Sequence, residues 1–324
     1  MAVRQTRSYL QQLFARHGIA PRHRLGQNFL IDLNIHDLIV ETAGVGPDDL
    51  ILEIGTGAGA LTTLMAGKGA AIVAVEVDPA MARLTREAVA ELPRVQVLSI
   101  DALASKSTLA PELLATLQSS LQSQPGLVFK LVANLPYHVA TPIIANLLTS
   151  SELSPALLVV TIQRELADRM TAPPSSPAYG ALSVLVQALA EVSLVRILPP
   201  SVFWPRPKVE SAIVSIRPDL SRKRTMDVAW FHQIVRKVFL HRRQNLRRVL
   251  AGLWPVQWPK IEVDLFLQSL GIDGRLRAET LVVRQFEVLA MALKERFGNL
   301  AAPTSDNQPD LEDQPDLEDE NTKT

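Results

Sequence analysis

The sequence of 324 residues contains no cysteine and few aromatic residues, only 5%. Without cysteine, disulfide bonds, thiolate zinc sites and thiol nucleophiles are excluded, which fits a reducing compartment. Apolar runs are short, and none approaches the ~20 residues that a membrane-spanning helix needs. The N-terminus has arginines on an amphipathic pattern but lacks the apolar core and cleavage site of a secretory signal. We therefore expect a cytoplasmic protein that does not enter a membrane.

The formal net charge is zero, but the two signs are unevenly distributed. Residues 303–324 contain eight acidic residues and one lysine, so the rest of the chain has 32 basic against 25 acidic residues. Such an excess predicts a surface that meets polyanions. The acidic tail repeats the hexapeptide QPDLED at 308–313 and 314–319 and has few apolar residues. We predict that this tail is disordered.

Short β-branched runs alternate with helical stretches between residues 50 and 165. This alternation predicts a parallel sheet with helices on both faces, a Rossmann-like α/β fold. The stretch 105–126 is expected to be a helix with flexible ends. From about residue 220 the sequence becomes basic and helical in period, which indicates a small all-α domain. The predicted parts are a basic N-terminal arm (1–24), an α/β domain (25–218), a helical domain (219–302) and the tail (303–324).

A glycine-rich turn, EIGTGAG at 53–59, follows a predicted strand and opens a helix. Its spacing is G-x-G-x-G, whereas dinucleotide-binding folds have G-x-G-x-x-G. Acidic residues stand where three successive strands end, at Glu53, Glu76 and Asp101. Glu76 is placed to accept hydrogen bonds from ribose hydroxyls, and Asp101 to accept one from the amine of a base. The pattern favours S-adenosylmethionine over NAD as cofactor, and the alternative is a plain tight turn with acids that cap helices.

The most specific motif is NLPY at 134–137, directly after the fourth predicted strand. The exocyclic amine of adenine is a poor nucleophile because its lone pair is delocalised into the ring. Two acceptors, the Asn134 side-chain oxygen and the Leu135 carbonyl, would favour a pyramidal nitrogen. Pro136 stiffens the loop, and the Tyr137 ring can stack on a base rotated out of its helix. The motif predicts methylation of adenine without a general base, and the alternative is an ordinary Asn-x-Pro turn.

Several motifs occur in a fixed order between residue 22 and about 297. They are RHRLGQNFL, EIGTGAG, VAVEVDP, NLPY, AYGALSVLVQ, PPSVFWPRPKVESAIV and GIDGRLRAETL. In this order the chain resembles the small-subunit (16S) ribosomal RNA adenine N6,N6-dimethyltransferase family. The resemblance implies an S-adenosylmethionine-dependent methyltransferase domain and a helical domain that contacts RNA. It also implies dimethylation of two adjacent adenosines in the 3′-terminal hairpin of 16S RNA, during maturation of the small ribosomal subunit.

Two other functions remain open for the same fold. One is methylation of large-subunit RNA, as in the erythromycin-resistance methylases. The other is a nonenzymatic RNA-binding assembly or transcription factor, against which the intact NLPY motif and the acidic residues speak. A nicotinamide oxidoreductase is disfavoured by the glycine spacing.

The resemblance also implies roles for single residues, and no metal ligands. The implied cofactor-binding residues are Asn28, Leu30, Gly55, Gly57, Glu76, Asp101 and Asn134. The implied catalytic residues are Asn134, Leu135, Pro136, Tyr137 and Phe203, the last of which would pack against the target base opposite Tyr137. His138 stands where the family often has asparagine, and Leu25 where it usually has phenylalanine. We interpret His138 as a loop residue at the entrance of the site.

Basic residues outside these motifs are candidates for RNA binding. They are Arg22, Arg24, Arg222, Lys223, Arg224, Arg242, Arg243, Arg247 and Arg248. We predict that the last four lie in one helix, beside an apolar stripe that docks it on the core. Phosphate binding by such residues weakens with salt. The alternative is a solvated charged surface with intramolecular ion pairs.

Overall fold

The computed structural model describes residues 5–22, 25–105, 108–254 and 258–298. Its α-helices are α1 (Arg7–His17), α2 (Leu33–Ala43), α3 (Ala60–Gly67), α4 (Pro79–Ala88), α5 (Pro111–Ser123), α6 (Tyr137–Thr149), α7 (Arg164–Thr171), α8 (Ala181–Leu189), α9 (Leu220–Thr225), α10 (Val228–Leu240), α11 (Leu246–Ala251), α12 (Lys260–Ser269) and α13 (Val283–Phe297). Its strands are β1 (Phe29–Leu30), β2 (Asp49–Ile54), β3 (Ala71–Val75), β4 (Val95–Leu98), β5 (Leu103–Ser105), β6 (Thr108–Leu109), β7 (Val128–Asn134), β8 (Leu157–Gln163), β9 (Ala190–Leu198), β10 (Phe203–Trp204) and β11 (Ser211–Pro218). Arg24 and the acidic tail lie outside the described residues.

The largest sheet has seven strands in the order β4-β3-β2-β7-β8-β11-β9. The first five are parallel to one another, and β11 is antiparallel to both β8 and β9. Every residue of β2 and β3 is buried, as expected for parallel strands covered by helices on both faces. The predicted Rossmann-like α/β fold is confirmed, with one antiparallel strand added to it.

Two segments differ from the sequence-based expectation. β9 follows α8 directly, beyond the alternating strands predicted between residues 50 and 165, and only its two end residues are buried although six of its nine residues are apolar. β5 and β6 form a short antiparallel hairpin where the start of a helix is expected. The helix itself is present as α5, which begins at Pro111.

The chain is divided into two compact units. The first contains the described residues up to Thr171 together with Leu189–Arg224, and thus the whole sheet. The second contains Ala172–Ala188 and the described residues from Thr225 onward. This division differs from the predicted limits, which give 172–188 to the α/β domain. The reason lies in Tyr179, whose buried hydroxyl donates to the Leu281 carbonyl at 2.9 Å and ties this segment to the later helices.

Helix α1 is part of the first unit and not a separate arm. Leu10 and Phe14 are 1% and 2% exposed and pack in one apolar cluster with Met81 and Leu84. The Phe14 ring lies edge-on to that of Phe29, with centroids 5.1 Å apart. The apolar side of this basic helix is therefore buried against the unit that carries the sheet.

Candidate functional site

The glycine-rich turn joins β2 to α3 and requires glycine at two positions. Gly55 and Gly57 have φ of +81° and +56°. A Cβ atom on Gly55 would lie 2.9 Å from Cδ of Pro136, and one on Gly57 would lie 2.9 Å from the Phe29 ring. Thr85 of α4 supports the turn, because its hydroxyl donates to the Gly57 carbonyl at 3.0 Å. The turn therefore packs so closely against Pro136 and Phe29 that neither position has room for a side chain.

Two acids stand at the ends of neighbouring strands. Glu76 follows β3, and its Oε2 and Oε1 accept hydrogen bonds from the main-chain N–H groups of Gly57 at 2.9 Å and Asp78 at 3.0 Å. Each of these oxygens keeps a lone pair for another donor. Asp101 is exposed and lies three residues beyond the end of β4, in a loop, where it accepts from the Leu103 N–H at 2.9 Å. The two carboxylates are thus oriented but retain capacity for a ligand.

Glu53, at the end of β2, has a different environment. It is 2% exposed, and burial raises its pKa to about 8, with the Glu76 carboxylate acting in the same direction. Its Oε2 has no hydrogen-bond partner among the described residues. Burial also lowers the pKa of His36 to about 4, although Asp37 and Asp32 oppose this shift. This part of the pocket wall is therefore largely uncharged near neutral pH.

The NLPY motif joins β7 to α6 and is anchored by main-chain atoms of other segments. The Asn134 Nδ2 donates to the Asn28 carbonyl at 3.1 Å, and the Leu135 N–H donates to the Thr161 carbonyl at 3.1 Å. Because the amide nitrogen of Asn134 is engaged, its Oδ1 remains available as an acceptor. The Leu135 carbonyl oxygen accepts no hydrogen bond from a described residue. Two acceptors are therefore left at the carboxyl edge of the sheet.

Tyr137 and His138 form the first turn of α6. The Tyr137 phenol oxygen is 2.7 Å from Oγ of Ser211, and burial raises the pKa of Tyr137, so that the phenol stays neutral. His138 is exposed and lines the same pocket. It lies in a helix and not in the expected loop, and its position at the entrance stays a prediction.

One pocket of the first unit brings the predicted site residues together. It is lined by Asn28, Leu30, Gly55, Gly57, Glu76, Asp101, Asn134, Leu135, Pro136 and Tyr137. Phe203 is not among the lining residues, because it is 3% exposed and packs in the apolar cluster that contains Leu30 and Ile39. Stacking of Phe203 on a base therefore stays a prediction. The assigned roles of the lining residues also stay predictions.

Sequence reasoning missed two residues that support this pocket. Gln27 accepts from the Arg22 N–H at 2.7 Å and donates to Asp78 at 3.1 Å, so it ties two segments together. The RHRLGQNFL motif contains Gln27 but does not reveal its partner. Ser211 lies far along the chain, and no local pattern points to its contact with Tyr137.

The predicted RNA-binding residues fall into two groups. Those with a polar partner are Arg22 with Asp78 at 3.5 Å, Arg222 with Asp219 at 3.1 Å, Arg242 with Glu279 at 2.6 Å, Arg247 with Asp264 at 2.8 Å, and Lys223 with the Ser154 hydroxyl at 2.6 Å. Arg224, Arg243 and Arg248 are exposed and form no ion pair with any residue that the structure describes. These three are the best candidates for phosphate contacts.

The prediction of a single helix for the last four arginines is wrong. Helix α10 ends at Leu240, and Arg242 and Arg243 lie in the turn that follows. Asn245 then caps α11, because its Oδ1 accepts from the Arg248 N–H at 3.0 Å. An N-cap side chain satisfies a free N–H of a new helix and so separates it from the preceding one.

The described ranges contain no helix that is both long and apolar enough to cross a membrane. They also contain no group of three or more His, Asp or Glu side chains arranged to hold a metal ion. The expectation that no metal takes part stays a prediction.

Comparison with known proteins gives consistent matches along most of the chain. A family model described as ribosomal RNA adenine dimethylase matches residues 19–291. A protein of Pelotomaculum thermopropionicum named ribosomal RNA small subunit methyltransferase A is 40% identical over 296 residues, which cover 90% of this chain and 97% of that protein. A protein of the same name from Halothermothrix orenii is 35% identical over 283 residues, 87% of this chain and 91% of that protein.

Solved structures resemble the fold at lower identity. A dimethyladenosine transferase from Plasmodium falciparum has a TM-score of 0.65 at 23% identity, over 83% of this chain and 96% of that one. The 23S rRNA methyltransferase ErmE has a TM-score of 0.57 at 24% identity, over 82% of this chain and 100% of that one. These two similarities bear on the fold alone.

Proposed function

Since the chain belongs to the ribosomal RNA adenine dimethylase family, we propose that it transfers methyl groups from S-adenosylmethionine to N6 of adenosines in small-subunit ribosomal RNA. The small subunit is favoured because relatives at 35–40% identity are named for it. The proposed targets are the two adjacent adenosines of the 3′-terminal hairpin of 16S RNA, in an immature subunit in the cytoplasm. Each adenosine receives two methyl groups.

The observation that carries this proposal is the state of the two acceptors in NLPY. The Asn134 amide is held through its nitrogen by the Asn28 carbonyl, at 3.1 Å, which leaves its oxygen for a donor from the substrate. The Leu135 carbonyl is the second acceptor beside it. An exocyclic amine that donates one hydrogen to each oxygen becomes pyramidal, and its lone pair is then localised on nitrogen. Fixed acceptors of this kind do not need to reorganise during the reaction.

The residues at the glycine turn fit S-adenosylmethionine. Gly55 and Gly57 line the pocket without a side chain, so a ligand can reach their main chain, and Glu76 presents lone pairs suited to two ribose hydroxyls. Asp101 is the acceptor proposed for the amine of the cofactor's adenine. When bound, this cofactor supplies a methyl group on a positively charged sulfur. Glu53 and His36 line the same pocket, and burial favours the uncharged form of both.

The target adenine is proposed to leave its helix and stack on Tyr137. The exocyclic amine of adenine lies in the plane of the base, and the base stacks parallel to the Tyr137 ring. The position of the Tyr137 ring therefore sets where the amine nitrogen meets the two acceptors. No general base is required, because the methylated ammonium is acidic enough to lose its proton to water. The contribution of this chain is therefore mainly alignment of the amine with the methyl group.

An alanine substitution at Asn134 tests the proposal. We expect Asn134→Ala to lower methyl transfer from labelled cofactor to small subunits from cells lacking this protein, by about 100-fold or more. Cofactor binding, measured by calorimetry, should largely survive. Asn34→Ala, which changes an exposed asparagine of α2, is the matched control and should keep full activity.

Two results would contradict the proposal. Full activity of Asn134→Ala would exclude the role given to its side-chain oxygen. Persistence of dimethyladenosine in the 3′ hairpin of 16S RNA from cells lacking the protein, measured by mass spectrometry, would exclude the proposed target.

A further inference from the structure

Ser211 contacts the proposed catalytic motif from a distant part of the chain. It lies 74 residues after Tyr137, and its Oγ is 2.7 Å from the Tyr137 phenol oxygen. The Ser211 side chain is 0% exposed. Breaking this hydrogen bond leaves the buried Ser211 hydroxyl without water to replace the lost partner. The contact therefore holds the tyrosine firmly.

The direction of β11 explains how Ser211 reaches the site. Strands β7 and β8 are parallel and end at the edge where the pocket lies, with Asn134 opposite Thr161. Strand β11 is antiparallel to β8, so it begins at this edge, with Ser211 opposite Gln163. A parallel strand would place its last residue here and not its first. The reversed strand thus contributes one side chain to a site otherwise built from strand ends.

The three motif residues with assigned contacts are held in different ways. The Asn134 amide and the Leu135 N–H are fixed by main-chain carbonyls at 3.1 Å. The orientation of the Tyr137 ring instead depends on two side-chain torsion angles, which allow several rotamers. Its phenol end is fixed by the hydroxyl of Ser211. The orientation of the ring therefore depends on a bond between two side chains.

We propose that Ser211 is a positioning residue for the target base: its hydroxyl fixes the Tyr137 ring in the orientation on which the flipped adenine stacks. The inference rests on the function proposed above, since it requires a base at Tyr137. A tilted ring tilts the base and moves its amine away from the two acceptors. Misplacement of a reacting group by 1 Å can cost about 100-fold in rate, so a small tilt is enough to matter.

A double-mutant cycle tests this role. Ser211→Ala and Tyr137→Phe each remove the hydrogen bond, and the second keeps the aromatic ring. We expect each single variant and the double variant to lower kcat by about tenfold, the size of one lost hydrogen bond. The double variant should be no slower than the slower single variant, because the same contact is removed once. KM for the RNA and the cofactor affinity should stay unchanged, whereas a general loss of structure would alter both.

Ser215→Ala is the matched control. It makes the same change four residues later in β11, at a hydroxyl for which no side-chain contact is described, and should keep wild-type kcat. Wild-type kcat in Ser211→Ala, or a double variant slowed by the product of the two single effects, would overturn the proposal. If Ser211→Ala does not fold, Tyr137→Phe decides, and an unchanged kcat in that variant overturns the role. A wild-type protein that methylates no small-subunit RNA would instead overturn the proposed function.

Discussion

The pocket of the first unit and the arginines of the second unit differ in whether their polar side chains have fixed partners. In the pocket, the side chains of Glu76, Asn134 and Tyr137 each have a fixed partner, and Glu76 is 6% exposed. In the second unit, Arg243 and Arg248 are exposed without an ion pair to any described residue. Fixed and buried groups suit a reaction that depends on alignment. Exposed cations suit phosphates, which bind by charge and tolerate several geometries.

The largest effect should come from a change that moves the motif inside the pocket. In Gly55→Ala, the new Cβ would lie 2.9 Å from Cδ of Pro136 and displace the NLPY loop. We expect methyl transfer to fall by about 100-fold. Gly44→Ala is the matched control, because Gly44 also has a positive φ of +54° but has nothing within 4 Å of the added atom. It should lose stability, by about 1–2 kcal/mol, and keep kcat. If both variants lost kcat equally, backbone strain at the substituted glycine, and not displacement of the NLPY loop, would explain the loss.

A smaller effect is expected for the exposed arginines. The double variant Arg243→Ala/Arg248→Ala should weaken RNA binding by about tenfold and reduce the slope of log affinity against log salt by about 2. Its melting temperature should not change, because neither guanidinium is ion-paired within the described residues. Filter binding at several salt concentrations measures the slope.

The paired arginines provide the contrast within the same unit. Arg242→Ala/Arg247→Ala removes ion pairs to Glu279 and Asp264, so it should lower the melting temperature and change the salt slope less. If the two double variants gave the same slope, the division into paired and exposed arginines would have no meaning for RNA binding.

The last prediction concerns the free energy of unfolding, and not activity, as a function of pH. Burial raises the pKa of Glu53 to about 8 from a reference value of 4.5. Between these values the folded chain keeps a proton that the unfolded chain has lost, so the free energy of unfolding falls as pH rises, by up to about 1.4 kcal/mol per pH unit. Glu53→Gln carries no such proton. Its stability relative to wild type should therefore increase from pH 5 to pH 8, measured by urea unfolding.

A stability difference that is constant across this range would show that Glu53 is ionised in the folded chain. The neutral wall assigned to the pocket would then be wrong. The contrast between the uncharged pocket wall of the first unit and the exposed arginines of the second unit would also become weaker.

Local patterns were sufficient for much of the pocket. EIGTGAG, Glu76 and NLPY each lie where a strand ends, Asp101 lies three residues beyond one, and parallel strands bring such ends to one edge of a sheet. Local patterns do not reveal that the Phe203 ring is buried in the apolar cluster with Leu30 and Ile39, and its stacking on a base stays a prediction. The same patterns predict one helix where the structure has α10 and α11, because the arginines between them fit a helical period, whereas in the structure Asn245 caps a new helix.

The amino-acid sequence by itself determined the fold class, the glycine-rich turn and the position of the NLPY motif, because each depends on residues that are close together along the chain. The tertiary structure decided which arginines find carboxylates, that Glu53 lies where a charge is costly, and that Ser211 meets Tyr137. The physical reason is that these three properties depend on burial and on partners far away in sequence. The antiparallel strand β11 brings two hydroxyls that are 74 residues apart in sequence to a distance of 2.7 Å, and no local sequence pattern predicts this contact.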